Sequence, residues 1–365
     1  MISSTLAPYL SNSLEGAAIG GHRFAGIFGD RPSQYAKSPS LWNAVFQALK
    51  LDAVYVPFDV DEPKLGGLVG ALRGLPQFLG GNVTVPYKVR IIEYLDDLDT
   101  KARQIGAVNT VVRTPDGRLI GYNTDGGGFM QSLTTDLLPK EAPLLPDPRG
   151  VDVLMVGAGG AARAVAFFLA EAIGRGRLTI VNRTHTAAVE LADAVNRVYG
   201  NTTAAHEDTI GKVAASAGLV VNCSTKGQSG LRKLPGGEAT MLEPYSALAP
   251  ANPARLPESL GADFPRRWFE ASLADIEHNA RAGAEVVLGL PPHAVAYDLI
   301  YSPLETVFLR HCRLAGHRTA NGKGMNIAQA VEAFCDRVCP GYLAEAGLAG
   351  AEGRRRVVEA MASVW

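Results

Sequence analysis

Val151-Asp152-Val153-Leu154-Met155-Val156-Gly157-Ala158-Gly159-Gly160-Ala161-Ala162-Arg163 is the stretch that decides the fold of this 365-residue chain. Its first six residues read as a buried strand and Ala161 to Ile173 as a helix, so the glycines between them form a βα turn. The pattern is G-x-G-x-x-A. Gly157 makes the turn, Gly159 lets backbone approach a diphosphate, and Ala162 permits close packing of helix on strand. Free N–H groups at the helix start, around Gly160 and Ala161, and the helix dipole favour an anion there. A tight turn that binds nothing can carry the same glycines; the strand before and the helix after favour the nucleotide reading.

Downstream, Leu178 to Val181 reads as a second strand and about Thr186 to Tyr199 as a second helix, which completes a mononucleotide-binding half-unit. The strand ends on Asn182-Arg183-Thr184, where an NAD site usually carries Asp or Glu for the ribose 2′-hydroxyl. A guanidinium and two short polar side chains suit a 2′-phosphate instead, which points to NADP. A solvated arginine is the alternative, because Thr186, Ala187 and Ala188 supply no second arginine. Leu219 to Val221 and Ala294 to Leu299 are further strand candidates. Between them, Gly227 to Pro292 is rich in Pro, Gly and charge, and stays unassigned as an insertion, a lid or an oligomer contact. Helical runs follow at Leu304 to Leu314, Met325 to Val338 and about Glu352 to Trp365.

Upstream the chain alternates again: strands Arg23 to Phe28, Val54 to Val60 and Asn82 to Val85, with helical runs Leu41 to Lys50, Lys64 to Arg73 and Tyr87 to Leu95. Asn109 to Val112 and Arg118 to Tyr122 flank Thr114-Pro115-Asp116-Gly117 and read as a hairpin added to that sheet. Phe129 to Leu138 is helical. Four prolines between Leu138 and Gly150 then forbid regular structure and mark a connector between two α/β halves. In the first half, Asn82, Thr84 and Lys88 gather at a strand's carboxyl end, where open α/β sheets bind ligands. Asn109 and Asp125 lie at other strand ends. A surface lysine at position 88 and a helix-capping Asp125 are the plain alternatives.

Composition narrows the partners. Lys+Arg total 35 against Asp+Glu 36, a formal charge of -1, so no basic field exists to hold nucleic acid or an acidic membrane. No apolar stretch approaches the roughly 20 residues of a membrane span, and the first twenty residues lack a basic start followed by an apolar block. A cytoplasmic protein is expected, and its four cysteines fit a reducing compartment. Cys335 and Cys339 share a helix face but lack the further ligands a metal site needs. H-E-x-x-H, G-x-S-x-G and P-loop patterns are all missing from the sequence.

Taken in order, Gly81-Asn-Val-Thr-Val-Pro-Tyr-Lys88, Gly106-Ala-Val-Asn-Thr110, Gly121-Tyr-Asn-Thr-Asp125, Gly157-Ala-Gly-Gly-Ala161, Asn182-Arg-Thr184 and Asp298-Leu-Ile-Tyr301 resemble the blocks of the shikimate and quinate dehydrogenases. The resemblance covers most of residues 24 to 340. It implies a two-domain α/β protein. Residues 1–128 would be an N-terminal substrate-binding domain, with helices 327–365 packing back on it. Residues 129–326 would be a Rossmann-type, doubly wound NADP-binding domain holding the insertion 227–292, with a cleft between the two. The implied reaction is reversible NADP-linked oxidation of a ring hydroxyl, interconverting shikimate and 3-dehydroshikimate.

By the same resemblance Lys88 and Asp125 are the proton-transfer pair. Asn82, Thr84, Asn109 and Gln329 bind the polyol, and Ser38 and Tyr301 its carboxylate end. Gly157 to Ala161, Asn182, Arg183, Thr184, Asn222, Ser224, Gly324 and Met325 line the cofactor. Chemistry agrees, since losing hydride from a carbinol carbon requires its O–H proton to leave to a group within about 2.6–3.2 Å.

Three positions depart from the family pattern, and one of them is Ser224, where threonine is more usual. Ala36 stands where the family has the first serine of Ser-Lys-Ser-Pro, which removes a hydroxyl contact to a carboxylate, worth about 1.5–3 kcal/mol. Asn326 follows Met325 where leucine is usual, and a cap or a solvent-facing side chain is the expectation there. Ala36 keeps a quinate dehydrogenase with NAD or NADP open as the alternative. A non-catalytic sensor of polyol carboxylates is the alternative from another class, and intact Lys88 and Asp125 speak against it. A monomer or a homodimer is expected.

Overall fold

The computed structural model describes residues 2–14, 19–137 and 142–365. The opening of the proline-rich connector, residues 138–141, lies outside the described residues. The chain divides into two compact units, Met1–Gln131 with Met325–Trp365, and Ala142–Gly324 with Ser132–Asp136.

In the first unit, β1 (Arg23–Gly29), β2 (Ala53–Asp59), β3 (Phe78–Val83), β4 (Asp97–Leu98), β5 (Thr110–Arg113) and β6 (Leu119–Tyr122) form one sheet ordered β2-β1-β3-β5-β6-β4. β2, β1 and β3 run parallel. The expected hairpin β5–β6 joins them through an antiparallel β3–β5 pair. Alternation along β1 sorts the core: Phe24 and Phe28 enter one cluster with Phe58, Phe78 and the helix Leu65–Arg73, while Ala25 and Ile27 enter another with Trp42 and Tyr55. That second cluster also takes Ile327, Phe334 and Val357 from the C-terminal helices, with the Trp42 and Phe334 rings 4.9 Å apart.

Several boundaries depart from the sequence reading, among them the strand read as Asn82 to Val85, which is Phe78–Val83, and the helix read from Leu304, which starts at Val307. Tyr87 to Leu95 forms no α-helix: a turn follows the cis Val85–Pro86 peptide and only Arg90–Tyr94 winds, as a 3₁₀ segment. β-branched Val85, Val89, Ile91 and Ile92 are poor helix formers, and Tyr87 N bonds back to Thr84 O. The helix expected from Phe129 begins at Asp125. The run Met325 to Val338 is α-helical only within Lys323–Glu332 and widens into a π-helix over Ala333–Val338.

The strands of the second unit are β7 (Val153–Val156), β8 (Leu178–Val181), β9 (Thr202–Ala205), β10 (Leu219–Asn222), β11 (Leu231–Lys233), β12 (Glu238–Met241), β13 (Leu256–Pro257), β14 (Val295–Asp298) and β15 (Arg318–Ala320). Six make a wholly parallel sheet ordered β15-β14-β10-β7-β8-β9, with the helix Gly160–Ile173 crossing from β7 to β8. This is the doubly wound, Rossmann-type sheet. The stretch left unassigned in the sequence folds into an antiparallel ribbon, β11-β12-β13, and a 25-residue helix, Phe264–Leu288. Trp268 anchors one to the other, donating from Nε1 to Thr240 Oγ1 and to Ala254 O, each at 3.0 Å. Among the described residues no helix is long and apolar enough to cross a membrane.

Candidate active site

β3 delivers Asn82 to the end of the first sheet, and the turn after it carries Lys88, whose backbone carbonyl accepts from Val108 N at 2.7 Å. From the other side β6 leads through Asn123 and Thr124 to Asp125, the first residue of the helix Asp125–Thr134. The two charged side chains meet there: Lys88 Nζ donates to Asp125 Oδ2 at 2.6 Å, with side chains 16 % and 7 % exposed. The other carboxylate oxygen, Oδ1, accepts from Asn109 Nδ2 at 2.8 Å. Asn109 is itself fixed by Thr124, whose N–H donates to its Oδ1 at 2.8 Å. Among the described residues Asp125 is the one hydrogen-bond partner of the ammonium, so two of its three N–H donors stay available.

Of the polyol candidates, Asn109 and Gln329 join this pair's network and Asn82 reaches it through the Asn109 carbonyl, which accepts from its Nδ2 at 3.4 Å. Gln329 Oε1 accepts from Asn109 Nδ2 at 3.4 Å, and its amide nitrogen donates to Asn326 O at 2.9 Å. Asn82 is 4 % exposed, accepting from Tyr55 Oη at 2.7 Å and donating to Thr110 Oγ1 at 3.3 Å. Tyr55 was not foreseen, because a tyrosine in an apolar strand reads as core; burial holds its phenol well above the ordinary range, and it stands beside Ser38 as well. Ser38 opens the helix Ser38–Ala48, and Ala36 packs half-buried against the second core cluster. Thr84 follows β3 with its N–H on Phe28 O at 2.9 Å. Tyr301 alone of this group belongs to the second unit, just beyond β14, where burial raises its phenol. Asn326 caps no helix: it lies half-buried inside Lys323–Glu332, and its Oδ1 is buried without a hydrogen-bond partner among the described residues.

The second site lies at the carboxyl ends of β7, β8 and β10. Gly157 has φ +117°, and a Cβ on it would lie 2.7 Å from the Cys223 carbonyl carbon, so the turn requires glycine. A Cβ on Gly159 would meet nothing within 4 Å. Gly157, Ala158, Gly159, Asn182, Arg183 and Thr184 line one cavity of about 280 Å³, with Ser224 on its far wall. Gly160 and Ala161 begin the 14-residue helix whose N-terminus closes it. Bare backbone at Gly159 and a helix start beyond it fit a dinucleotide's diphosphate. Asn222 sets the wall from behind, its Oδ1 accepting from Ser224 N at 2.9 Å and its Nδ2 donating to Asp298 Oδ1 at 3.0 Å. Gly324 and Met325 are not among the residues lining this cavity; they lie in the helix Lys323–Glu332.

Three charged cavity residues escaped the sequence reading: Glu207, Lys226 and Arg232. Lys226 is 8 % exposed, and its ammonium bonds to the Glu207 carboxylate and, at 2.7 Å, to Ala249 O. Burial lowers its pKa, with Glu207 opposing. No local pattern announces these residues, since each reaches the cavity from a separate loop or strand.

Comparison with known proteins gives a consistent answer. Residues 27–111 match the model of the shikimate dehydrogenase substrate binding domain. A shikimate dehydrogenase (NADP(+)) of Symbiobacterium thermophilum is 36 % identical over 316 residues, 84 % of this chain and 86 % of that protein. One of Moorella thermoacetica is 38 % identical over 306 residues, 83 % and 84 % of the two chains. Among solved structures, quinate dehydrogenase from Corynebacterium glutamicum in complex with NAD superposes with a TM-score of 0.68 at 26 % identity, covering 94 % of this chain and 99 % of that one. Identity at this level across most of both sequences means that the chain belongs to the shikimate dehydrogenase family.

Proposed function

We propose that this chain oxidises shikimate to 3-dehydroshikimate with NADP+ and catalyses the reverse reduction. The observation that carries the reading is the 2.6 Å contact between Lys88 Nζ and Asp125 Oδ2, ringed by Asn82, Asn109 and Gln329. The first unit serves as the substrate-binding and catalytic domain, the second as the nucleotide domain. When bound, NADP+ supplies the acceptor for the hydride leaving the carbinol carbon. Lys88 takes the hydroxyl proton in oxidation as the neutral amine, and as the ammonium so formed returns one to the carbonyl oxygen in reduction. Asp125 orients that amine and the hydroxyl, and Asn109 fixes Asp125. Asn82, Thr84 and Gln329 pair the remaining hydroxyls, so an analogue lacking one leaves a buried amide unsatisfied. Ser38 and Tyr301 take the carboxylate. Gly157 to Ala161 form the diphosphate side of the nucleotide site, Asn182, Arg183 and Thr184 hold the 2′-phosphate, and Asn222, Ser224, Gly324 and Met325 serve the nicotinamide.

Quinate is the second reading, favoured by one observation: Ala36 supplies no hydroxyl near Ser38, and quinate carries an extra hydroxyl of its own next to its carboxylate. NAD in place of NADP belongs to the same reading, since Asn182-Arg183-Thr184 holds a single arginine. Absorbance at 340 nm with shikimate or quinate against NADP+ or NAD+ tests both. Reduction of NADP+ with shikimate above every other combination is expected; no reduction with shikimate while it still binds returns the sensor. The balanced charge and four free cysteines support a cytoplasmic monomer or homodimer that works on small molecules.

A further inference from the structure

A 2′-phosphate carries close to two negative charges, more than one guanidinium neutralises. The motif at the end of β8 offers Arg183 alone. We infer that Arg232, carried on β11 by the insertion between β10 and β14, is the second cation of the 2′-phosphate subsite and a determinant of nucleotide choice. This rests on the dehydrogenase reading above.

The placement comes from the fold. Arg232 lines the same cavity as Asn182, Arg183 and Thr184 although it lies 49 positions beyond Arg183 in the sequence. Its guanidinium is aimed by a 2.8 Å bond from one Nη to Thr225 Oγ1, on the loop that leaves β10. Opposite it in the ribbon stands Thr240, which Trp268 holds, so a buried indole stiffens the strand bearing the arginine. Strand alternation sends the neighbouring Lys233 to the other face, where it pairs with Glu258 at 2.5 Å.

Charge bookkeeping separates Arg232 from the other cations. Arg103 sits 2.7 Å from Asp97 and Arg313 2.6 Å from Glu305. Lys226, the nearest rival in the cavity, is already committed to Glu207 and to the Ala249 carbonyl. Arg183 and Arg232 have no carboxylate partner among the described residues. Two guanidinium groups without a carboxylate partner, lining one cavity and each with several donors in a planar fork, match a phosphate monoester.

Calorimetric titration with 2′,5′-ADP and with 5′-AMP tests this without turnover, because neither fragment reacts. Arg232→Ala is expected to weaken 2′,5′-ADP on the order of 10- to 100-fold, the loss of a charge-assisted contact, and to leave 5′-AMP unchanged. Arg232→Lys should fall between. Arg232 is exposed, and an unchanged melting temperature shows that the variant folds. Equal weakening of both fragments, or of neither, overturns the inference and leaves the dehydrogenase reading standing. Wild-type protein that binds neither fragment overturns both.

Discussion

Asn109 holds Asp125 by a 2.8 Å bond from its amide nitrogen to Oδ1, which leaves Oδ2 turned toward the Lys88 ammonium at 2.6 Å. An amide that donates to Asp125 and accepts from Thr124 N cannot rotate without breaking both bonds, so the carboxylate is set before any substrate arrives. Fixed geometry of this kind lowers the reorganisation needed when charge moves in a transition state.

The proton step should therefore depend on Lys88 far more than binding does. Lys88→Ala is expected to lower kcat by about 10²- to 10⁴-fold, the usual worth of a positioned acid or base, with NADP+ affinity unchanged. Steady-state rates at 340 nm beside a nucleotide titration measure both. Wild-type turnover in the variant would refute the assignment.

Asn109→Ala should cost stability as well as rate. It strands Thr124 N and Asp125 Oδ1 without their partner in a buried region, which costs about 1–3 kcal/mol for such groups. Urea unfolding gives the first number, and kcat gives the second. A variant as stable as wild type would mean that other donors reach those atoms.

Most of the two sheets was legible because parallel strands buried on both faces read as apolar runs. β9 and β15 were missed for the opposite reason: each is a short, half-polar edge strand of the second sheet. The helix Phe264–Leu288 hid its stripe, since Ser272, Asn279 and Gly283 occupy buried positions beside Phe264, Trp268 and Val287. Asn279 earns its place by polar contacts, accepting from Ser246 N at 2.7 Å, and hydropathy alone cannot see that. In the site, Lys88, Asn109 and Asp125 stood out as polar residues at strand ends. Tyr55 and Arg232 did not, because the residues they meet are fixed by strand register and by a ribbon whose course the sequence does not declare.

Asp298 should give the protein a measurable pH dependence. It is fully buried, and although it accepts from Asn222, Thr306 and Ile300 N, burial pushes its carboxyl up to about 7. An unfolded aspartate titrates near 3.9, so the folded chain holds this proton more tightly. The stability it adds is complete below about pH 4 and is lost as pH rises through about 7. Asp298→Asn should flatten the fall in unfolding free energy across that window; identical slopes in the two proteins would contradict the burial argument.

The two glycines of the βα turn make opposite predictions. Gly157 combines a φ of +117° with backbone 2.7 Å from where a Cβ would stand, so Gly157→Ala must move the loop after β10 and should lower the melting temperature along with nucleotide binding. Gly159 has φ -78° and open space around its would-be Cβ, so Gly159→Ala leaves the fold unstrained. Its methyl group instead takes up space where backbone should meet the diphosphate. Thermal melts and NADP+ titrations of both variants decide the matter: an intact melt with weakened binding is expected for position 159 alone. If Gly159→Ala binds NADP+ as wild type does, the diphosphate does not lie against that backbone.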